Sequence, residues 1–230
     1  MTRTTCALLV LCCLAGCEPA ELPSPSIVSV MPERIAEGGA SVLTIEVSAV
    51  LPVSVDYDSE TAAVAPLTLF IAGEQTEVAF SQQEGRLVAA APTGLARGAY
   101  DVEVALADGR EAVREEAFSV VAPADLRPED LPVRGGLTGF QIDAIGEQVA
   151  GVPFKVTIRA QGPEASSFQG TGVVVRATKG EGAPLTTGAF SGGVVQQEVT
   201  FDQPSAQIVL LVEDSLGNVG LSNPFKVRPR

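Results

Sequence analysis

The chain has 230 residues, with 15 Lys and Arg against 28 Asp and Glu and a formal net charge of −13. Only three lysines occur, Lys155, Lys179 and Lys226, so the clustered positive charge that grips phosphates is missing and nucleic acid is excluded as a partner. Histidine and tryptophan are absent, which excludes Ser–His and Cys–His catalysis and zinc sites built on His; the acidity favours solubility.

In chain order, Arg3 precedes an apolar run from Ala7 to Leu14 and the small residues Ala15 and Gly16, the layout of a secretory signal. Eight apolar residues cannot span a hydrocarbon core, which takes about 20 in a helix. Leu14-Ala15-Gly16-Cys17 resembles the lipobox of bacterial lipoproteins. That resemblance implies cleavage after Gly16 (signal peptide 1–16). The mature chain then begins at Cys17 with diacylglycerol on its thiol and an N-acyl lipid on its amine, and no other cofactor is expected. Each buried methylene adds about 0.8 kcal/mol, so two chains or more make a stable anchor where one is marginal. The expected partner is therefore a membrane, reached through the lipid. The expected location is the cell envelope, with Glu18 after the cysteine resembling the outer-membrane sorting pattern, on the periplasmic or surface face.

Cys6, Cys12 and Cys13 leave with the leader, so the 214 residues from Cys17 onward hold a single cysteine and the fold must rest on apolar packing. That length suits two domains of about 100 residues each. Glu18–Pro25 reads EPAELPSP. With Cys17 it forms a tether (17–25) of roughly 25 Å at about 3.1 Å per residue, which would hold the first domain near the membrane and the second farther out.

From Ser26, short alternating apolar segments separated by Gly, Pro and acidic turns predict an all-β domain over 26–121. The candidate strands are Ser26–Val30, Val42–Val47, Leu67–Ile71, Glu77–Phe80, Leu87–Ala91, Ala99–Leu106 and Ala117–Val121, with Val53–Tyr57 as a further one. Ala107-Asp108-Gly109-Arg110 is a hairpin turn in which Asp-Gly supplies positive φ. The Ala-rich run Thr61–Ala65 is too short for a helix. Ile27-Val28-Ser29-Val30-Met31-Pro32, Glu37-Gly38-Gly39, Gly98-Ala99-Tyr100-Asp101-Val102 and Ala117-Phe118-Ser119-Val120 resemble the opening and close of an IPT/TIG domain, which implies an immunoglobulin-like sandwich. Ala49–Pro66 is longer than the link that family uses after its second strand.

Ala122–Pro132, with three prolines and three acids, reads as a linker within 122–135. A second all-β domain follows over 136–230. Its strands are predicted around Phe140–Ala144, Pro153–Ala160, Gly172–Ala177, Gly188–Phe190, Gln196–Phe201, Gln207–Val212 and Pro224–Val227. Ile208–Val212 is apolar on both faces, as in a strand covered on both sides. Ala150-Gly151-Val152-Pro153-Phe154-Lys155-Val156-Thr157-Ile158 and the turn Asp214-Ser215-Leu216-Gly217-Asn218 resemble immunoglobulin-like domains of bacterial surface proteins. The fold class expected is all-β: two tandem immunoglobulin-like sandwiches, without the Trp and disulfide of antibody domains.

Few residues offer chemistry. Lys155 and Lys226 sit in alternating strands and Lys179 in a Gly-rich turn, so Ser–Lys catalysis finds no support. Carboxylates at Asp56, Asp58 and Glu60, or at Glu115-Glu116, could serve glycoside hydrolysis only in a cleft that shifts their pKa values. Asp56, Tyr57, Asp58 and Glu60 form the candidate binding loop, because long connections on rigid scaffolds concentrate binding residues. No metal motif is matched; the weaker candidates for calcium, a cation that takes six to eight oxygens, are Asp125, Glu129, Asp130, Asp214 and Asn218. Tyr100 is expected as a buried ring capped by a hydrogen bond. The sequence thus predicts no enzyme but an envelope lipoprotein whose domains serve interaction, adhesion or spacing, with an envelope protein or glycan as partner. The alternative is a carbohydrate-binding module, which the scarcity of aromatics disfavours.

Overall fold

The computed structural model describes residues 22–50, 53–56, 61–64, 66–83, 85–178 and 184–230, with backbone alone for 53–56 and 61–64. The lipobox and the candidate loop residues Tyr57, Asp58 and Glu60 lie outside the described residues, as does Lys179. Period-two patterning turns almost every apolar segment into a strand, because a pleated chain sends successive side chains to opposite faces.

The first half forms β1 (Ser26–Met31), β2 (Arg34–Ala36), β3 (Val42–Ser48), β4 (Val53–Asp56), β5 (Thr61–Val64), β6 (Leu67–Ile71), β7 (Glu74–Thr76), β8 (Val78–Phe80), β9 (Arg86–Ala90), β10 (Gly98–Leu106) and β11 (Glu111–Val121). Two sheets result, of order β1-β3-β9-β8 and β2-β11-β10-β6-β7. Leu43 and Ile45 of β3 and Leu87 and Ala89 of β9 meet Leu69, Ile71, Val102, Val104 and Phe118 of the other sheet in one core. The predicted hairpin joins β10 to β11: Gly109, at φ 85°, donates its N–H to the Leu106 carbonyl. Asp108 takes no positive φ, so glycine alone supplies the left-handed residue. Tyr100 is half-buried, stacks on Phe118 with centroids 5.7 Å apart, and donates its hydroxyl to the Ala96 carbonyl at 2.8 Å.

The long connection carries β4 and β5, which pair with each other from Val53↔Val64 to Asp56↔Thr61 and with no other described strand. Thr61–Val64, read from sequence as a short Ala-rich run, is therefore a hairpin strand. Its partner Val53–Asp56 supplies the cross-strand hydrogen bonds that Ala propensity does not encode.

The second half forms β12 (Gly139–Ile142), β13 (Gln148–Val149), β14 (Phe154–Gln161), β15 (Val174–Ala177), β16 (Leu185–Thr186), β17 (Val194–Val199), β18 (Ser205–Ile208), β19 (Leu210–Glu213), β20 (Val219–Leu221) and β21 (Phe225–Arg228). A sheet of order β16-β15-β19-β20 faces the three-stranded groups β12-β14-β17 and β13-β21-β18. The core holds Ile158, Ile208, Leu210, Val212 and Val227. Two phenylalanine triads fill it. Phe140, Phe168 and Phe190 lie with centroids 5.0 to 5.9 Å apart, and Phe154, Phe201 and Phe225 at 5.9 to 6.2 Å. These rings fill a core that has no Trp and, among the described residues, no disulfide.

Two expected strands are corrected here. Gly188–Phe190 is irregular, with Phe190 buried in its triad while Leu185–Thr186 pairs instead. Gln207–Val212 is two strands: β18 pairs with β21, and β19 pairs with β15 and β20. The chain changes sheets at Val209, so continuous hydrophobicity there marks a crossing between layers.

The sandwiches pack side by side through their sheet faces. Val42, Ala79 and Val88 on the outer face of β3-β9-β8 meet Leu211, Val219 and Leu221 of β19-β20 in a third apolar cluster. Leu211 is buried against the first sandwich while its neighbours Leu210 and Val212 are buried in their own core, which is why this strand is apolar on both faces. The second sandwich therefore stands alongside the first instead of beyond it.

Candidate functional site

Where the two sheets of the first sandwich part, beside the long connection, lies a groove of about 730 Å³. Val47, Leu67, Leu87, Val104 and Leu106 line it, with Glu46, Ser48, Ser81, Gln83 and Arg86 as polar members. Val28, Val50 and Phe80 also line it and are exposed. Ala49, Val50 and Leu67 flank the predicted binding loop, so the loop is rooted at this groove. Of the loop residues singled out from sequence, Asp56 ends β4; the other three are outside the described residues. Phe80 was missed. Its signal was available, since alternation in β8 sets Phe80 on the same inner face as Val78, opposite Ala79, at the open end of the sandwich where the groove lies.

Arg110 organises the same end. Its guanidinium pairs with Asp108 at 2.7 Å, and its Nη1 and Nη2 donate to the Pro23 and Val50 carbonyls at 2.6 and 2.7 Å. The Arg110 side chain holds the Asp108 carboxyl below the ordinary carboxylate value. One arginine therefore ties the arriving chain and the start of the long connection to the β10–β11 turn.

Between the sandwiches, Glu213 is a fully buried carboxylate at 1% exposure. It shares its strand face with Leu211, so burying that face brings it inside. Its oxygens accept the Ser81 hydroxyl and the Gln82 backbone N–H, the latter at 2.8 Å, and Ser81 Oγ in turn accepts the Gln83 N–H. Nearby, Arg134 Nη1 donates to the Gly217 carbonyl at 2.8 Å. Burial holds its guanidinium below the ordinary value, neighbouring Arg86 adds repulsion, and Asp214 opposes both. This cluster joins the turn after β8, the segment before β12 and the β19–β20 turn.

The calcium candidates are not brought together. Asp130 accepts the Arg127 N–H at 2.7 Å and pairs with Arg34 at 2.9 Å, and these partners hold its carboxyl below the usual range. It thereby pins the linker's second 3-10 turn (Pro128–Asp130) to β2. Asp214 spends its oxygens on the Leu216 and Asn218 backbone N–H groups and the Asn218 side-chain amide, all at 2.8 to 2.9 Å. Asp125 lies in the linker's first 3-10 turn, and Glu129 faces Arg127. Among the described residues no group of three or more Cys, Asp or Glu is placed to hold a metal ion. Glu115 and Glu116 are exposed; Glu116 sits at φ 49° in a bulge of β11, its N–H bound by Asp101. Lys155 and Lys226 are exposed on their strands.

Fold and site define an all-β protein of two tandem immunoglobulin-like sandwiches without disulfides among the described residues. No protein-family model matches the chain, and no curated protein matches it. Among solved structures it is similar to the Bacteroides ovatus mixed-linkage glucan utilization locus protein SGBP-B in complex with a mixed-linkage heptasaccharide, at 11% identity over 89% of this chain and 45% of that one, with TM-score 0.28. It is also similar to Yersinia pseudotuberculosis InvD, at 11% identity over 90% of this chain and 58% of that one, with TM-score 0.33. For the Yersinia pseudotuberculosis adhesin InvE the values are 12%, 89%, 58% and 0.29. The chain spans about half the length of these structures.

Proposed function

We propose that this chain is a non-enzymatic cell-envelope lipoprotein, held by lipid on Cys17. In this reading two immunoglobulin-like domains, 26–121 and 136–230 with a linker over 122–135, serve as a surface interaction, adhesion or spacer module. The observation that carries it is mechanical. Arg110 fixes the chain at Pro23, six residues after Cys17, and the sandwiches behind that point are locked together by the Leu211 cluster and the buried Glu213 clasp. A short tether on a stiff double sandwich suits holding a surface at a set distance from a membrane. The outer-membrane location and the IPT/TIG affinity of the first domain belong to the same proposal, supported by the lipobox pattern and by the motifs of Ile27–Pro32 and Gly98–Val102.

Carbohydrate binding is the second reading, and Phe80 favours it. Its ring is exposed in a groove with Glu46, Ser48, Gln83 and Arg86, an arrangement that offers a stacking face beside hydrogen-bonding groups. Labelling of growing cells with a radioactive fatty acid tests the main reading: label should enter the parent chain and not Cys17→Ser, and an unlabelled parent chain would overturn it. Phe80→Ala with isolated envelope polysaccharide tests the second, which requires binding by the parent chain and its loss in the variant.

A further inference from the structure

The groove and the arriving chain share one end of the first sandwich. Pro23 and Val50 are both held there by Arg110. An extended chain covers at most about 3.6 Å per residue, so Cys17 stays within roughly 22 Å of Pro23. Exposed apolar side chains gather at the same end: Leu22 at 47%, Val28 at 51%, Val50 at 48% and Phe80 at 46%. Of the acids there, Asp108 is engaged by Arg110 and Glu46 by the Ser29 hydroxyl, and Glu111 at the start of β11 is exposed. The opposite end carries Glu33, Glu37 and Glu74 in turns and short strands and continues into the acidic linker.

We propose that this end of the first sandwich rests on the lipid surface that holds Cys17, with Val28, Val50 and Phe80 set against the boundary between headgroups and acyl chains. The inference depends on the lipidation proposed above. The tether is too short to let this end wander far, and apolar side chains at a membrane boundary are stabilised there. The second sandwich reaches the turn after β8 through Glu213, while Gly139, Gln161 and Val219 lie beside Met31, Pro32 and Ser41, and Val209, Ser222 and Pro224 beside Ala91–Thr93, both at the end away from the groove. Val152, exposed next to Gly151, whose N–H binds the Phe201 carbonyl, belongs to that outer end together with Asn223 and Ile145. A partner would then be met by the outer end.

The test uses the full lipoprotein extracted from membranes, carrying Val50→Cys, Val28→Cys or, as the outer control, Val152→Cys. All three sites are exposed, and a thioether at Cys17 leaves the introduced thiol as the single target. A polarity-sensitive fluorophore on that thiol is read in phosphatidylcholine vesicles with and without doxyl-labelled phosphatidylcholine. The expected result is a blue shift and loss of emission at positions 50 and 28, with neither at 152. Vesicle-bound, acylated protein with unquenched probes at 50 and 28, or with equal quenching at 152, would overturn the proposal and leave lipidation standing. Protein that fails to associate and whose Cys17 has its unmodified mass would overturn both.

Discussion

Replacing Glu213 by alanine tests the clasp between the sandwiches. The carboxylate accepts the Ser81 hydroxyl and the Gln82 N–H, and both donors sit on the other sandwich. Hydrogen bonds to a charged acceptor contribute about 1.5 to 3 kcal/mol each, and a buried donor left unpaired costs about 1 to 3 kcal/mol. Removing the carboxylate also relieves the expense of keeping a charge out of water, which offsets part of the loss. The expected net cost is about 2 to 3 kcal/mol, concentrated at the interface. Urea unfolding reads it: the parent chain should unfold in one transition, and Glu213→Ala should separate it into two. Trypsin should cut the linker after Arg134, whose guanidinium is held at this interface by the Gly217 carbonyl, faster in the variant. Ser81→Ala alone should cost about 1 kcal/mol, and the double variant should cost less than the sum, because the two residues form one interaction. A Glu213→Ala protein within about 0.5 kcal/mol of the parent, with one transition and an equally resistant linker, would refute this reasoning.

Phe118→Ala should destabilise the first sandwich by about 3 to 5 kcal/mol in the same urea assay, since the ring is 1% exposed and supports Tyr100. Gly220→Ala should cost about 1 to 3 kcal/mol by overpacking, because a Cβ there would lie 2.2 Å from the Phe140 carbonyl oxygen; calorimetry should show the loss as a lowered melting temperature. Asp108, Asp130 and Asp143 are held below the ordinary value of 3.8 by Arg110, by the Arg127 N–H with Arg34, and by Arg159. Folded values below unfolded ones give stability that is present above 3.8 and lost as pH falls from there through the lower folded values. Melting temperature should therefore vary little from these groups between about pH 7 and 5 and fall below about pH 4.

Strands with clean alternation were legible because the pattern itself builds the fold: Leu67–Ile71, Pro153–Ala160 and Ala99–Leu106 all carry strands at or within a few residues of their expected bounds. The Asp108-Gly109 turn and the hydroxyl cap on Tyr100 also followed from local chemistry. Elements that depend on distant partners were not legible. Arg34–Ala36 is three residues long and becomes a strand only by pairing in parallel with Ser119–Val121. Polar Glu111–Glu116 extends β11 because β10 is long enough to pair with it. The interface left one trace in the sequence: Leu87-Val88-Ala89, like Leu210-Leu211-Val212, breaks alternation with apolar residues on both faces. That run in the first half went unread, so the contact between the two went unread too. At the candidate site, Ala49–Pro66 was legible as a long connection, but the groove beside it takes Phe80, Gln83 and Arg86 from segments far along the chain.

The central claim is that Cys17 is the lipid-bearing first residue of an envelope protein. Intact and peptide mass spectrometry of the protein extracted from the membrane fraction measures this directly. The account predicts a chain that starts at Cys17, with diacylglycerol on sulfur and a further acyl chain on the amine. A chain that keeps residues 1–16, or a soluble one whose Cys17 has its unmodified mass, would contradict it.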